Sequence, residues 1–191
     1  MLIKTIPVGQ LETNCYIVTN ENTLECVVID PGDDSTLILD YLEDNKLTCV
    51  AIFVTHGHFD HVGAVESVME ETSAPVYINS RDGSFPNSIS YDDGDIIEKA
   101  GFKFEIIATP GHTRGGVTIK VEDALFTGDT LFRGSCGRTD LEGGDIDEIM
   151  NSLKKICSIE EDYEVYPGHM DSTSLFREKT FNFYCRKAMS K

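Results

Sequence analysis

The stretch Thr55-His56-Gly57-His58-Phe59-Asp60-His61 constrains this chain more than any other. It places four potential metal ligands within six residues. The apolar run Val50-Ala51-Ile52-Phe53-Val54 precedes it and reads as a buried strand. An amphipathic segment beginning Val62-Gly63-Ala64-Val65 follows and reads as a helix to about Glu71, with Val62, Val65, Val68 and Met69 on one face. At a strand-to-helix turn the sheet fixes the backbone while the side chains stay accessible. Imidazole and carboxylate are borderline-to-hard donors that suit zinc, iron or manganese. The chain has only five histidines. The two outside the cluster, His112 and His169, each sit in a Pro-Gly-His triplet after another apolar run. All five thus lie at strand-end turns, a distribution that a polar surface loop does not explain.

The same arrangement recurs along the chain. A β run ends in a turn that offers a ligand at Val28-Ile29-Asp30, Phe53-Val54-Thr55-His56, Ala108-Thr109-Pro110-Gly111-His112, Leu125-Phe126-Thr127-Gly128-Asp129 and Tyr166-Pro167-Gly168-His169. If these strands run in similar directions in two packed sheets, their ends share one edge and the ligands converge. Further strands are expected at 2–7, 14–19, 75–78, 102–108 and 116–121, the last alternating as a half-buried strand does, with 163–166 as the final strand. A helix capped by Asp33, Asp34 or Ser35 should run to about Asn45 on a stripe of Leu37, Ile38, Tyr41 and Leu42. Another is expected over 145–157 on Ile146, Ile149, Met150 and Leu153, and the tail from about 174 to 189 reads as helical. Residues 80–94 read as a long polar loop or surface excursion that could join two halves, and 130–144 as a glycine-rich loop.

The length of 191 residues fits one domain, 1–191. Lys and Arg number 16 against 33 Asp and Glu, a net charge of −17. That balance excludes nucleic acid or an anionic membrane as the main partner, since both need a basic footprint. The N-terminal stretch shows no signal-peptide pattern, and no apolar window is long enough for a membrane span, so a cytoplasmic location is expected. Cys15, Cys26, Cys49, Cys136, Cys157 and Cys185 form no Cys-x-x-Cys pair and read as reduced thiols, mostly small core residues. Cys136 lies nearest a candidate ligand.

His56, His58, Asp60, His61, His112, Asp129 and His169 make seven candidates. A tetrahedral catalytic zinc takes about four ligands including water, so seven suit two metals that share a bridge. Such a pair lowers the pKa of a bound water from about 15.7 toward ~7 and polarises a carbonyl. The expected reaction is hydrolysis of an activated carbonyl compound, with Asp60 and Asp129 as the catalytic carboxylates. Asp30 is expected to hold a turn or support a ligand from behind.

The run His56-x-His58-x-Asp60-His61, with Pro110-Gly111-His112-Thr113, Thr127-Gly128-Asp129-Thr130 and Pro167-Gly168-His169, resembles the metallo-β-lactamase superfamily over nearly the whole chain. The resemblance implies an α/β (α+β) fold, a four-layer αβ/βα sandwich of two mixed β-sheets with helices on the outer faces. It implies one divalent metal on His56, His58 and His112, a second on Asp60, His61 and His169, and Asp129 as the bridge. Zinc is the first expectation, with iron and manganese also suited. Within the superfamily the chain most resembles the glyoxalase II group, particularly its short bacterial members, through Leu131 to Asp140 and Gly143-Gly144-Asp145. Those enzymes hydrolyse S-2-hydroxyacylglutathione thioesters, so the implied partner is a small-molecule thioester, handled by a monomer or small homo-oligomer. Arg138 matches a basic position that contacts glutathione in the longer enzymes. Two departures stand out. The residues after His169 suffice for one helix, where full-length glyoxalase II carries a helical domain that grips glutathione. Gly116 also replaces a histidine in the usual Thr-x-Gly-His.

The alternative is a persulfide dioxygenase, which shares Gly137-Arg138-Thr139-Asp140 and uses one iron on positions matching His56, His112 and Asp129. A true β-lactamase is disfavoured by the absence of an export signal and by Asp129, which stands where the best-known type has cysteine.

Overall fold

A computed structural model describes residues 1–190. The chain begins with β1 (Leu2–Val8), β2 (Thr13–Thr19), β3 (Glu25–Ile29), α1 (Ser35–Asp44), β4 (Thr48–Phe53), α2 (Phe59–Val62), α3 (Val65–Thr72) and β5 (Val76–Tyr77). It continues with β6 (Ile96–Lys99), β7 (Phe102–Ala108), β8 (Val117–Val121), β9 (Ala124–Gly128) and a small hairpin of β10 (Leu131–Phe132) and β11 (Ser135–Cys136). It closes with α4 (Ile146–Cys157), β12 (Glu164–Pro167), β13 (Thr173–Ser174), α5 (Leu175–Phe181) and α6 (Phe183–Met189).

The strands form a five-stranded sheet in the order β1-β2-β3-β4-β5 and a six-stranded sheet in the order β13-β12-β9-β8-β7-β6. Both are mixed: β3, β4 and β5 are parallel, as are β9 and β12, while the other pairs run antiparallel. Strand alternation assigns the layers. On β3 and β4, Cys26, Val28 and Ile52 join Ile38 and Leu42 of α1 and Val65 and Val68 of α3 in one cluster. Their neighbours Val27, Ile29, Ala51 and Phe53 face Phe104, Ile106, Ile119 and Phe126 of the second sheet. On the far side, Leu125 and Val165 pack under Ile149, Leu153 and Ile156 of α4 and Cys185 of α6. Helix, sheet, sheet and helix make the expected four-layer sandwich. Covering on both faces is why β3 and β4 read as continuous apolar runs. Phe53 anchors the middle layer, with its ring 5.0 Å from Phe104 and 5.1 Å from Tyr77 in edge-on contacts.

The strand directions bring the ligand turns together. β3 and β4 run parallel, as do β9 and β12, and β7 and β9 each lie antiparallel to β8. The turns after β3, β4, β7, β9 and β12 therefore meet at one edge of the sandwich.

Several expectations need correction. Asp34 occupies the N-cap of α1 in a left-handed conformation, but its side chain does not cap the helix. It accepts from the Gly9 N–H at 2.8 Å instead. Leu37 is exposed, which leaves the α1 stripe to Ile38 and Leu42 with Tyr41 partly buried beside them, and Ile146 is likewise exposed at the start of α4. The helix after the ligand cluster is two helices, because the Ala64 N–H turns aside to the Pro31 carbonyl at 3.0 Å. The half-buried reading of 116–121 is too open: Thr118 and both flanking apolar residues are buried. β12 is not the last strand, since β13 pairs back onto it. The tail is two helices rather than one, broken at Asn182, whose side chain caps α6 by accepting from the Tyr184 N–H. The 80–94 segment does link the two sheets, but it is no mere surface excursion. Tyr91 is buried and its hydroxyl donates to the Val54 carbonyl.

Candidate metal centre

The cluster after β4 presents His56 and His58 on one side of α2 and Asp60 and His61 on it. The turns after β7, β9 and β12 add His112, Asp129 and His169. All seven sequence-nominated residues meet, in the overlapping groups His56-His58-His112, His56-His61-Asp129 and Asp60-His61-His169, each with its donor atoms within 4.8 Å of one another.

In the first group, His58 Nδ1 lies 3.1 Å from His56 Nε2 and 2.9 Å from His112 Nε2. These contacts are not an ordinary hydrogen-bond chain. The His112 Nδ1–H donates to the Arg138 carbonyl at 2.7 Å, and His56 Nδ1 meets Thr55 Oγ1 at 3.2 Å. The Thr55 hydroxyl in turn donates to Asp30 Oδ2 at 2.6 Å. With both Nδ1 hydrogens engaged, the two Nε2 atoms carry lone pairs in neutral rings. One His58 hydrogen cannot serve both, but a cation among the three nitrogens does. Nitrogens sharing a tetrahedral metal at ~2.0–2.1 Å would lie roughly 3.3 Å apart, near the spacing seen. Burial first, then repulsion from the neighbouring histidines, holds His56 well below the usual imidazole range.

The second group shows most clearly that these residues fit a cation. His61 Nε2 and Asp129 Oδ1 are buried, 3.4 Å apart, and neither has a hydrogen-bond partner. The His61 Nδ1–H is engaged by Asp30 Oδ2 at 2.9 Å, so Nε2 is aimed into the site. Burial alone would lower the His61 pKa, but Asp30 and Asp129 outweigh it and raise it to about 10. His169 Nε2 lies 3.2 Å from Asp60 Oδ2, and the Thr13 hydroxyl donates to the same oxygen at 2.9 Å. Burial opposes ionisation of Asp60 and Asp129, yet the histidines around each hold both below the usual carboxylate range. The donor set fits divalent metal ions.

Asp129 joins the groups. Its Oδ1 faces His61, while its Oδ2 lies 3.3 Å from His112 Nε2 and 3.6 Å from His169 Nε2. Gly168 makes room for it: a Cβ there would sit 2.2 Å from Asp129 Oδ1 and 2.6 Å from His61 Cε1. The centre opens into a cavity of about 740 Å³ whose rim includes Leu11, Phe59, Arg81, Arg114, Arg138 and Leu141.

Asp30 takes the supporting place expected of it, holding Thr55 and His61 from behind. Arg138 serves the centre through its carbonyl, while its guanidinium forks onto Asp140 at 2.6 and 2.8 Å. Cys136 stays outside the donor groups, half-buried, its thiol pushed up to about 11 by burial. The sequence did not disclose Thr13, Thr55 or Asp82. Asp82 accepts from the Gly57 N–H at 3.1 Å, the Thr113 hydroxyl at 2.5 Å and the Gly115 N–H at 2.6 Å, clamping two ligand loops together. Nothing marked it in the sequence beyond its place in the long polar loop over 80–94.

Comparison with known proteins agrees with this geometry. Residues 8–169 match the family model of the metallo-beta-lactamase superfamily. An uncharacterized protein of Aquifex aeolicus is 36% identical, covering 95% of this chain and 96% of its own length. The hydroxyacylglutathione hydrolase GloC of Haemophilus influenzae is 29% identical, covering 95% and 97% respectively. The crystal structure of the BLEG-1 B3 metallo-beta-lactamase superposes with a TM-score of 0.91 at 33% identity, covering 96% of this chain and 99% of that one. ETHE1 from Myxococcus xanthus gives 0.89 at 30% identity, covering 96% and 84%. TTHA1623 in a di-iron-bound form gives 0.85 at 32% identity, covering 95% and 99%.

Proposed function

The chain belongs to the metallo-beta-lactamase superfamily of metal-dependent hydrolases, and on that premise we propose that it is a two-metal hydrolase of small-molecule thioesters such as S-2-hydroxyacylglutathiones. The observation that carries this reading is Asp129, which presents one carboxylate oxygen to His61 and the other to His112 and His169. A di-iron form of a structural relative and the hydroxyacylglutathione hydrolase among the sequence relatives support it. Six cysteines without a disulfide suit the reducing cytoplasm, and no helix among the described residues is long and apolar enough to cross a membrane.

In this reading His56, His58 and His112 would hold one divalent ion and Asp60, His61 and His169 the other, with Asp129 placed to serve both. Zinc is the first choice, with iron and manganese also suited to the donors. When bound, the ions supply Lewis acidity and a water acidic enough to attack near neutral pH. The chain's own residues arrange the rest. Asp30, Thr55 and the Arg138 carbonyl fix three imidazole orientations, so no side chain must reorganise as charge develops. Leu11, Phe59 and Leu141, exposed at the cavity rim, give the apolar part of a substrate a surface to lie on. No general acid is needed to expel the product, since a thiolate leaves readily. Arg138, the residue first expected to contact the thiol half of the substrate, lies at the rim with its guanidinium paired to Asp140.

The test is hydrolysis of S-D-lactoylglutathione by metal-loaded protein, followed as loss of thioester absorbance. Chelator-sensitive turnover is expected, with little hydrolysis of a chromogenic cephalosporin. Cephalosporin turnover exceeding that of the thioester would move the assignment toward the BLEG-1 enzyme. A second reading, a persulfide dioxygenase with one iron on His56, His112 and Asp129, is favoured by His112 Nε2 lying 3.3 Å from Asp129 Oδ2 and by the loop Gly137-Arg138-Thr139-Asp140. Oxygen consumption with a persulfide, without thioester turnover, would select it.

A further inference from the structure

The chain has six arginines in a background of net charge −17. Three are paired: Arg133 with Asp171 at 2.9 Å, Arg138 with Asp140 at 2.6 Å and Arg177 with Glu178 at 2.6 Å. Arg81, Arg114 and Arg186 make no ion pair with any carboxylate among the described residues, and of these Arg81 and Arg114 line the cavity at the metal centre. They also share an adjoining recess of about 460 Å³ with Gly143, Gly144, Asp145 and Glu148. Two free guanidinium groups on one recess of so acidic a chain call for an explanation other than surface solvation.

The backbone holds them side by side. Arg81 precedes Asp82 and Arg114 precedes Gly115, and the Gly115 N–H donates to Asp82 Oδ1 at 2.6 Å. A Cβ at position 115 would lie 2.8 Å from that oxygen and 2.9 Å from Asn79 Oδ1, so only glycine permits this approach. The Arg81 N–H donates to Asn79 Oδ1 at 3.0 Å, and buried Asn79 is tied to the Tyr91 carbonyl at 2.9 Å. Asp82 forms no ion pair with either arginine; its oxygens accept from the Gly57, Thr113 and Gly115 donors instead. The Asp145 carboxylate is likewise engaged, capping α4 on the N–H groups of Asp147 and Glu148. Glu148 is the remaining acidic side chain of the recess.

We infer that Arg81 and Arg114 form a subsite for an anionic group, a carboxylate or a phosphate, on the thiol half of the substrate. The assignment to the thiol half rests on the thioester reading; the anion site itself does not. Guanidinium forks match both anions bidentately, and a substrate tail gripped here would leave its reacting carbonyl free to reach the metal centre in the same cavity. Thus the arginine that the sequence nominated, Arg138, is paired with Asp140, while the unpaired cations lie where the chain departs from the usual Thr-x-Gly-His and in the long 80–94 loop.

The experiment is calorimetric titration of the metal-loaded protein with S-methylglutathione, its diethyl ester and 4′-phosphopantetheine. It compares wild type, Arg81→Gln/Arg114→Gln and Glu148→Gln. Weakening of S-methylglutathione binding by about tenfold or more, both on esterification and in the double variant, with tightening in Glu148→Gln, supports a carboxylate site. The same arginine dependence with 4′-phosphopantetheine alone supports a phosphate site. Affinities for both anions unchanged by the arginine substitutions, or no binding of either, would overturn the inference. Thioester hydrolysis assayed on the same proteins separates the two claims. Arginine-dependent binding without hydrolysis sinks the thioester reading and keeps the subsite; hydrolysis indifferent to both arginines does the reverse. Lysine at both positions keeps the charge and should restore part of the affinity, which a folding defect would not.

Discussion

Asp129 Oδ1 and His61 Nε2 face each other across 3.4 Å, both buried and both without a hydrogen-bond partner. A buried unpaired polar atom costs about 1–3 kcal/mol, so this pair is a debt that a shared cation removes. Metal binding should therefore raise the melting temperature of the metal-free protein. At a thousandfold excess over Kd the expected stabilisation is about 4 kcal/mol per site. Asp129→Asn should blunt the rise and cut thioester turnover by orders of magnitude while leaving the fold intact by circular dichroism. Equal melting temperatures with and without metal would contradict this.

Asp30 belongs to none of the candidate donor groups, yet it orients His61 directly and His56 through Thr55. Asp30→Asn should weaken metal affinity about 10- to 100-fold, as loss of such a supporting partner does elsewhere. Competition against a chromophoric chelator measures this. An unchanged affinity would show that the imidazoles hold their orientation unaided.

Asp82 bonds to Gly57, Thr113 and Gly115 at once. Hydrogen bonds to a charged group contribute about 1.5–3 kcal/mol each, not additively, so Asp82→Ala should destabilise the protein by about 3 kcal/mol. The urea midpoint should fall with the slope unchanged. Asp82→Asn, which keeps acceptor capacity on one oxygen, should lose less.

Glu178 is buried, and its carboxylate accepts from the Gly134 N–H at 2.7 Å, the Thr173 hydroxyl at 2.7 Å, the Arg177 guanidinium at 2.6 Å and the Asn182 amide at 3.0 Å. Burial pushes its pKa up, but these donors outweigh it and hold the carboxyl below the ordinary glutamate range. As the pH falls, the unfolded chain takes up this proton before the folded one does. The stabilisation is thus fully present above about pH 4.3 and is lost as the pH drops through the lower folded value. Glu178→Gln removes it at every pH. The stability gap between wild type and variant should narrow between neutral pH and about pH 3, and a gap independent of pH would contradict the assignment.

The candidate ligands were legible because they form local patterns, and the four layers were expected from the family resemblance those patterns carry. His56, His58, Asp60 and His61 fall within one turn, and the doubly covered strands read as unbroken apolar runs. What stayed hidden depends on long-range contacts. The helix break at Gly63-Ala64 is set by the Pro31 carbonyl, and Leu37 and Ile146 look like core residues until the packing shows what covers their helix faces. Asp82 is one acidic residue among many until Gly57 and Gly115 fold onto it, and the unpaired state of Arg81 and Arg114 is visible only once every carboxylate has a position. Arg138 shows the limit of motif reasoning: its place beside the centre was foreseeable, its pairing with Asp140 was not.

The central claim is that this site works with two ions joined by Asp129. The most direct measurement is to titrate zinc, iron or manganese into metal-free protein, counting bound metal per chain by elemental analysis while following S-D-lactoylglutathione hydrolysis. Turnover that climbs to a plateau at two metals per chain, and fails to do so in Asp129→Asn, is the predicted result. A plateau at one metal per chain, or two bound metals with no thioester turnover, would contradict it.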